Sequence, residues 1–278
     1  MKSRRFFMDK ILVSLACVAV IIAIIPLASI LYYVTVRGLP AMNLDFFTKL
    51  PPTPEPGAVG GLGDAIQGTL ILVGLAACIG LSFGILSGIY ISEYGRNFYG
   101  NTMRFLGDVL VGNPSIVVGI LGFTLLVLPF HGFSVRAGAV ALGVIMIPIV
   151  SITTSEALKL VPNSIREASA ALGIKKWRTS LLVVANAKSG VATGALLATA
   201  RVMGETAPLI LTAGISTLWY AGLNAPIASL TYYIYYFGTS AFQNWVRLAW
   251  GAAFFLIVMI IGINLAVRLL TRGRRAYA

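Results

Sequence analysis

Apolar residues fall along this chain in six long stretches, parted by short segments rich in charge, glycine or proline. The stretches cover roughly residues 11–36, 65–92, 106–129, 136–157, 187–213 and 248–270. Crossing a bilayer as a helix takes about 20 mostly apolar residues, and each stretch is long enough. The pattern predicts an all-α polytopic membrane protein with six transmembrane helices. The third and fourth are joined by a short turn around His131 and Gly132, where the lone histidine reads as solvated. The 29 glycines suit helices that pack closely in lipid.

Composition agrees with the pattern. The chain has 278 residues, of which 58% are hydrophobic and 11% charged, where a water-soluble domain carries about 25% charged. Its net charge of +12 is a mark of nucleic-acid binders too, but here the basic residues flank apolar spans. With an even number of spans and the N-terminus inside, sixteen Lys and Arg fall on the inner side and four on the outer: Arg37, Lys49, Arg136 and Arg247. The inner set includes Lys2, Arg4, Arg5, Lys10, Arg96, Arg104, Lys159, Arg166, Lys175, Lys176, Arg178, Arg274 and Arg275. That bias places both termini in the cytoplasm. The first apolar stretch is too long for the core of a signal peptide and is read as a retained helix. The expected layout is a cytoplasmic segment 1–10, one transmembrane domain 11–270 and a basic cytoplasmic tail 271–278. The two cysteines, Cys17 and Cys78, lie inside spans and read as packing residues rather than a disulfide or metal site.

Two outer segments differ from the rest. Leu50 to Gly63 is dense in Pro and Gly and should be irregular. Gly214 to Val246 has no charged residue and many aromatics, among them Trp219, Tyr232, Tyr233, Tyr236, Phe237 and Trp245. It reads as an interfacial aromatic belt, or as a docking surface.

The longest inner loop, about 156–188, should carry a short helix after Pro162. Asn163 or Ser164 can cap it, with Glu167 three residues beyond Ser164 as in a capping box. The alanine run favours helix, and Gly173 can end it.

Charge also appears where a membrane helix should have none. Arg201 and Glu205 interrupt the fifth stretch, at about 2.5–3.5 kcal/mol each near a helix centre. Four residues apart, they project from one helical face. Arg201 offers a planar fork of donors and a permanent charge suited to an oxyanion. Glu205 can accept a hydrogen bond from an oxyanion that still carries a proton while repelling fully deprotonated ones. Thr206 adds a hydroxyl, and Pro208 breaks the ladder nearby. In the third stretch Asn113, Pro114 and Ser115 can kink a helix and line a path, with Asp108 before them. Read without a substrate, Arg201 and Glu205 form a simple intrahelical ion pair.

The inner loop resembles the EAA loop of ABC-importer permeases. Glu167-Ala168-Ser169 is followed by Gly173 at the family spacing, with Ser169 for the last Ala. Val183-Val184-Ala185-Asn186 stands where Ile-x-Leu-Pro is usual. The block Arg201-Val202-Met203-Gly204-Glu205-Thr206-Ala207-Pro208 resembles the signature of phosphate-specific ABC permeases of the A type. Gly60-Gly61-Leu62-Gly63-Asp64, Asn113-Pro114-Ser115-Ile116 and Ala249-Trp250-Gly251 agree. This resemblance implies a type I importer permease fold in a prokaryotic cell membrane, with a coupling helix between spans four and five. It implies one permease subunit of an ATP-driven phosphate importer, working with a second permease, a cytoplasmic ATPase dimer and an extracytoplasmic phosphate-binding protein. Arg201, Glu205 and Thr206 are then expected on the substrate path, with Asn113 and Ser115 as further lining. Ser164, Arg166, Glu167, Ala168, Ser169 and Gly173 are expected on the ATPase-coupling element.

The chain has no Gly-x-x-x-x-Gly-Lys-Ser/Thr phosphate loop, no His/Cys/carboxylate cluster with metal-ligand spacing and no nucleophile–base pair. It is therefore expected to bind no cofactor and to leave ATP to its partners. Alternatives are an ABC permease for another oxyanion (sulfate, molybdate or phosphonate), a self-sufficient secondary anion transporter and a membrane scaffold. The Gly204-Glu205-Thr206-Ala207-Pro208 block speaks against the first and the coupling loop against the second. The charges inside a span speak against the third.

Overall fold

A computed structural model describes residues 2–55, 57–95 and 97–272, and these form helices and their connections with no strand among them. In chain order the helices are α1 Lys2–Gly38, α2 Leu44–Thr48, α3 Gly63–Glu93, α4 Phe98–Gly112, α5 Ser115–Gly122, α6 Val135–Lys159, α7 Asn163–Ala171, α8 Lys176–Met203, α9 Ala207–Thr212, α10 Leu230–Gly238 and α11 Gln243–Arg272. Arg96, Arg274 and Arg275 of the inner basic set lie outside the described residues, with most of the expected tail 271–278.

Helices α3, α6 and α8, α1 from Lys10, and α11 are each long and apolar enough to span a membrane. The pair α4 and α5 with its π-helical extension Phe123–Val127 passes the same test but bends by 101°. The third span was expected as one run over 106–129, and the structure corrects both points. It starts at Phe98 because Asn97 caps α4, its side chain accepting from the Gly100 amide at 2.9 Å. It breaks because Pro114 pushes the preceding residue out of the helical region, and Asn113 is extended at φ −74°, ψ 139°.

The fifth span, expected over 187–213, is also shifted. Without a proline at 183–186, α8 runs unbroken from Lys176 and ends at Met203. The ring of Pro208 conflicts with the carbonyl four residues back, which belongs to Gly204, so the helix stops there. The short α9 begins after the break, with Pro208 in its first turn.

The centre of the fold is the α3–α6 pair with α8 across it. Leu72, Leu142, Met146, Val150, Ala198 and Val202 form its buried core. Gly80, Gly84 and Gly88 let the two backbones approach. A Cβ on Gly84 would sit 2.6 Å from Val150 Cβ, and one on Gly80 would sit 2.6 Å from Met146 Cβ. Such small-residue faces replace the hydrophobic effect as the means of helix association in lipid. Gly84→Leu should therefore cost at least the ~1–3 kcal/mol of overpacking and lower the thermal midpoint of the purified protein. An unchanged midpoint would remove this close approach from the account.

A second cluster closes the end of the bundle at which α3 begins and α10 lies, where Phe46, Leu62, Tyr233, Phe237 and Leu248 meet. The uncharged aromatic segment is thus only partly a belt. Its α10 turns Tyr233 and Phe237 fully inward, stacked at 4.6 Å, while Tyr235 and Tyr236 remain exposed. Trp245 and Asn244 donate to Pro52, Thr53 and Glu55 carbonyls and so pin the proline-rich segment, which is irregular as expected. Helix α1 packs on α11 only near Gly38; from Lys10 to Tyr33 it is exposed. Cys17 and Cys78 are free and exposed, not packed within this chain as expected.

Candidate functional site

The break between α8 and α9 places the two charges of the fifth span. Arg201 lies in the last turn of α8 and is half-exposed. Glu205 lies past the helix end, in the connection, and its side chain is mostly buried. The expectation that both project from one continuous helix is therefore corrected, because Gly204 and Pro208 end the helix between them. The side chains still meet: Arg201 Nε is 3.7 Å from Glu205 Oε1. The backbone carbonyl of Glu205 accepts from Thr231 Oγ1 at 3.0 Å, so α10 holds the unwound segment in place. Thr206 caps α9 without a side-chain hydrogen bond.

Arg201 faces a narrow crevice shared with Asn113 and Ser115 and walled by Leu110, Val111, Val118, Val144, Ile145, Pro148 and Ile149. The bend of the third span thus comes to Arg201, and neither Glu205 nor Thr206, both expected on the substrate path, lines this crevice. Three features give the crevice its polarity. The start of α5 leaves its first amides without intrahelical acceptors. Pro148, near the middle of α6, frees the Val144 carbonyl. Arg201 supplies the charge. Donors and a cation can hold an oxyanion, and a free carbonyl can accept from its protonated oxygen.

Val144 and Pro148 were not singled out from the sequence. The available signal was proline itself: Pro114, Pro148 and Pro208 each interrupt an apolar run, and Pro148 and the two neighbours of Pro114, Asn113 and Ser115, line the same crevice.

Helix α7 stands where α3 and α6 end and α8 begins. It begins at Asn163 after Pro162 and has no side-chain cap, so neither Asn163 nor Ser164 closes a capping box with Glu167. Pro162 is extended, and a proline needs no amide partner at a helix start. Gly173 ends the element as expected: at φ +67° it lets Ile174 N reach Ser169 O and Gly173 N reach Ala170 O, both at 3.0 Å.

The residues expected on this coupling element divide between two faces. Ser164, Glu167, Ala168 and Gly173 are exposed. Ser169 is buried, donating to Ile165 O at 2.8 Å. Arg166 turns inward, its guanidinium clasping Glu93 at the end of α3 with contacts of 2.7 and 3.2 Å. It also covers the Val161 and Leu158 carbonyls at 2.8 and 3.0 Å. The Glu93 hydrogen bonds hold Arg166 above its ordinary pKa, against burial. A second inner network joins Arg104 of α4 and Lys159 to Glu156 of α6 at 2.8 and 2.9 Å. Asp108 is exposed midway along α4.

Comparison with known proteins places these features in a family. Residues 80–275 match the model of the binding-protein-dependent transport system inner membrane component. The chain is 40% identical over 269 residues to the phosphate transport system permease protein PstA of Haemophilus influenzae, covering 96% of this chain and 95% of that one. It is 36% identical to PstA 1 of Mycobacterium tuberculosis, covering 98% and 91%, and 34% identical to the probable PstA of Methanocaldococcus jannaschii, covering 96% and 95%. Among solved structures, the inward-facing MetNI methionine ABC transporter matches with a TM-score of 0.63 at 16% identity, covering 75% of this chain and 94% of that one. At that identity the match speaks for the fold.

Proposed function

The chain belongs to the binding-protein-dependent transport system inner membrane component family, and from that membership we propose that it is a membrane-spanning permease subunit of an ATP-driven importer of inorganic phosphate. The observation that carries the substrate is the near full-length likeness to phosphate transport system permeases. The crevice supports it chemically: a guanidinium, helix-start amides and a free carbonyl suit an anion that still carries a proton.

Arg201 and Glu205 pair when the path is empty, and phosphate takes over the guanidinium during passage. Asn113 and Ser115 line the approach, and Thr206 sets the start of α9. Arg201 is half-exposed within this chain, and in this reading its charge faces a water-filled seam whose opposite wall a second permease supplies. The exposed length of α1 offers further surface for that subunit. Helix α7 presents Ser164, Glu167 and Ala168 to a cytoplasmic ATPase dimer, which consumes the ATP. This chain binds no nucleotide or other cofactor. An extracytoplasmic phosphate-binding protein delivers the substrate, and both termini lie in the cytoplasm of a prokaryotic cell.

Pull-down of the tagged chain should bring along a second permease and an ATPase. In vesicles, the phosphate-loaded binding protein should stimulate that ATPase. Stimulation by sulfate but not phosphate would move the assignment to another oxyanion, and uptake without any ATPase would overturn the importer reading. Glu205→Gln should relax discrimination, raising sulfate uptake relative to phosphate by about tenfold, the worth of one charge-assisted contact. Unchanged selectivity would reduce Glu205 to a holder of Arg201.

A further inference from the structure

The inner end of the molecule holds a second, larger opening that the transport reading does not use. It is a cleft of about 780 Å³ between the ends of α3 and α6, the inward face of α7 and the first turn of α8. Its charged lining is Lys159, Arg166 and Lys176 against one carboxylate, Glu93. That carboxylate is spent, since both of its oxygens are taken by Arg166. Lys159 is held by Glu156. Lys176 alone among these cations has no carboxylate within 4.0 Å among the described residues. Its ammonium instead rests 4.5 Å from the centre of the Tyr94 ring. Tyr94 is half-buried, and a cation resting on such a ring has no opposite charge to hold it, so it is readily redirected to an anion.

The rest of the lining is uncharged, with Ser92, Tyr94, Asn163 and Thr179 as its polar side chains. Thr179 stands one turn along α8 from Lys176, and the Tyr94 hydroxyl lies nearby. The α7 wall uses Arg166 and Ala170, a different face from the exposed Glu167 and Ala168 offered to an ATPase. The volume is in the range of small-ligand pockets, about 300–1,000 Å³. Basic pockets between membrane helices at this depth accept phosphate-bearing head groups.

We propose that this inner cleft binds a phosphate group at a site separate from the Arg201 crevice, with Lys176 as its principal ligand. Two sources present that chemistry on this side of the membrane: the head group of an anionic phospholipid, and free inorganic phosphate.

The test uses the purified complex in phosphatidylcholine nanodiscs. Trp177, adjacent to Lys176 and half-exposed, is the reporter, its signal taken as the difference from Trp177→Phe. In the lipid arm, brominated phosphatidylglycerol should quench that signal. In the phosphate arm, equilibrium dialysis in an Arg201→Ala background should detect inorganic phosphate bound without the crevice. In whichever arm binding appears, Lys176→Gln should weaken it by roughly tenfold, the worth of a charge-assisted contact, and Lys176→Arg should keep it. Thr179→Val gives a second variant, expected to weaken binding severalfold. Quenching alone assigns the site to lipid, and dialysis alone assigns it to free phosphate. Binding in neither arm, binding indifferent to Lys176 and Thr179, or loss of ATPase co-purification in Lys176→Gln would each overturn the proposal.

Discussion

Arg201→Ala is expected to reduce phosphate uptake into vesicles by on the order of 100-fold or more, while the second permease and ATPase still co-purify. The two charge-assisted hydrogen bonds that the fork would give an oxyanion are worth about 1.5 kcal/mol or more each, which at 1.4 kcal/mol per decade is on the order of 100-fold or more. Assembly should survive because Arg201 is half-exposed and its one ion pair, with Glu205, is long at 3.7 Å. The expected side effect is a mostly buried Glu205 left without its cation. Arg201→Ala in a Glu205→Gln background removes that complication and should stay inactive. Arg201→Lys keeps the charge but loses the planar fork, so partial activity is expected. Uptake at the normal rate by Arg201→Ala would remove the anion-site reading, whatever the fate of the other residues.

The positions of the crevice residues show which parts of a membrane site are legible in a sequence. Arg201 and Glu205 stood out because charge in an apolar run is costly, and that signal needs no tertiary information. Their relation to one helix was misread, since the periodicity of an apolar stretch continues across a break. Only the i−4 conflict between Pro208 and the Gly204 carbonyl tells where α8 stops. The six spans were legible from length and hydropathy, yet the third was drawn as one segment. Asn113-Pro114 was recognised as a kink, but a 101° turn depends on what α5 packs against, and no local propensity carries that. Gly119 meets Pro208 of α9 so closely that a Cβ there would lie 2.9 Å from its Cα.

The aromatic segment failed for a related reason. Tyr233 and Phe237 are four apart on α10 and face inward, while Tyr235 and Tyr236 are exposed. Composition marks such a segment as interfacial without telling which ring belongs to the core. The inner loop was read well as a helix closed by Gly173, whose positive φ is a local requirement. The inward turn of Arg166 was not legible, because its partner Glu93 is 73 residues away.

That inward turn yields the second large effect. Arg166→Ala should abolish coupled transport and lower the thermal midpoint of the complex, while Arg201 and its crevice are untouched. Glu93 is nearly fully buried, at 5% side-chain exposure, so removing Arg166 strands a carboxylate in the protein interior. Breaking a buried pair from one side costs about 3–5 kcal/mol. The same change uncovers the Leu158 and Val161 carbonyls at the end of α6, which the guanidinium now satisfies. One side chain therefore joins α7 to the two helices of the central pair, α3 through Glu93 and α6 through its terminal carbonyls. If an ATPase moves α7, this is the contact through which the motion reaches the α3–α6 pair. Two further variants separate coupling from simple instability. Glu93→Gln keeps one acceptor oxygen for Arg166 and leaves the unpaired charge on the guanidinium, which is more exposed than Glu93 and keeps its two carbonyl partners, so its midpoint should fall less. If the clasp transmits motion, ATPase activity in that variant should still be present but less tightly linked to phosphate uptake. Arg166→Lys keeps the charge but cannot clasp both Glu93 oxygens and two carbonyls at once, so it should resemble Glu93→Gln. Normal uptake per ATP hydrolysed in Arg166→Ala, at an unshifted midpoint, would show that α7 couples by some other route.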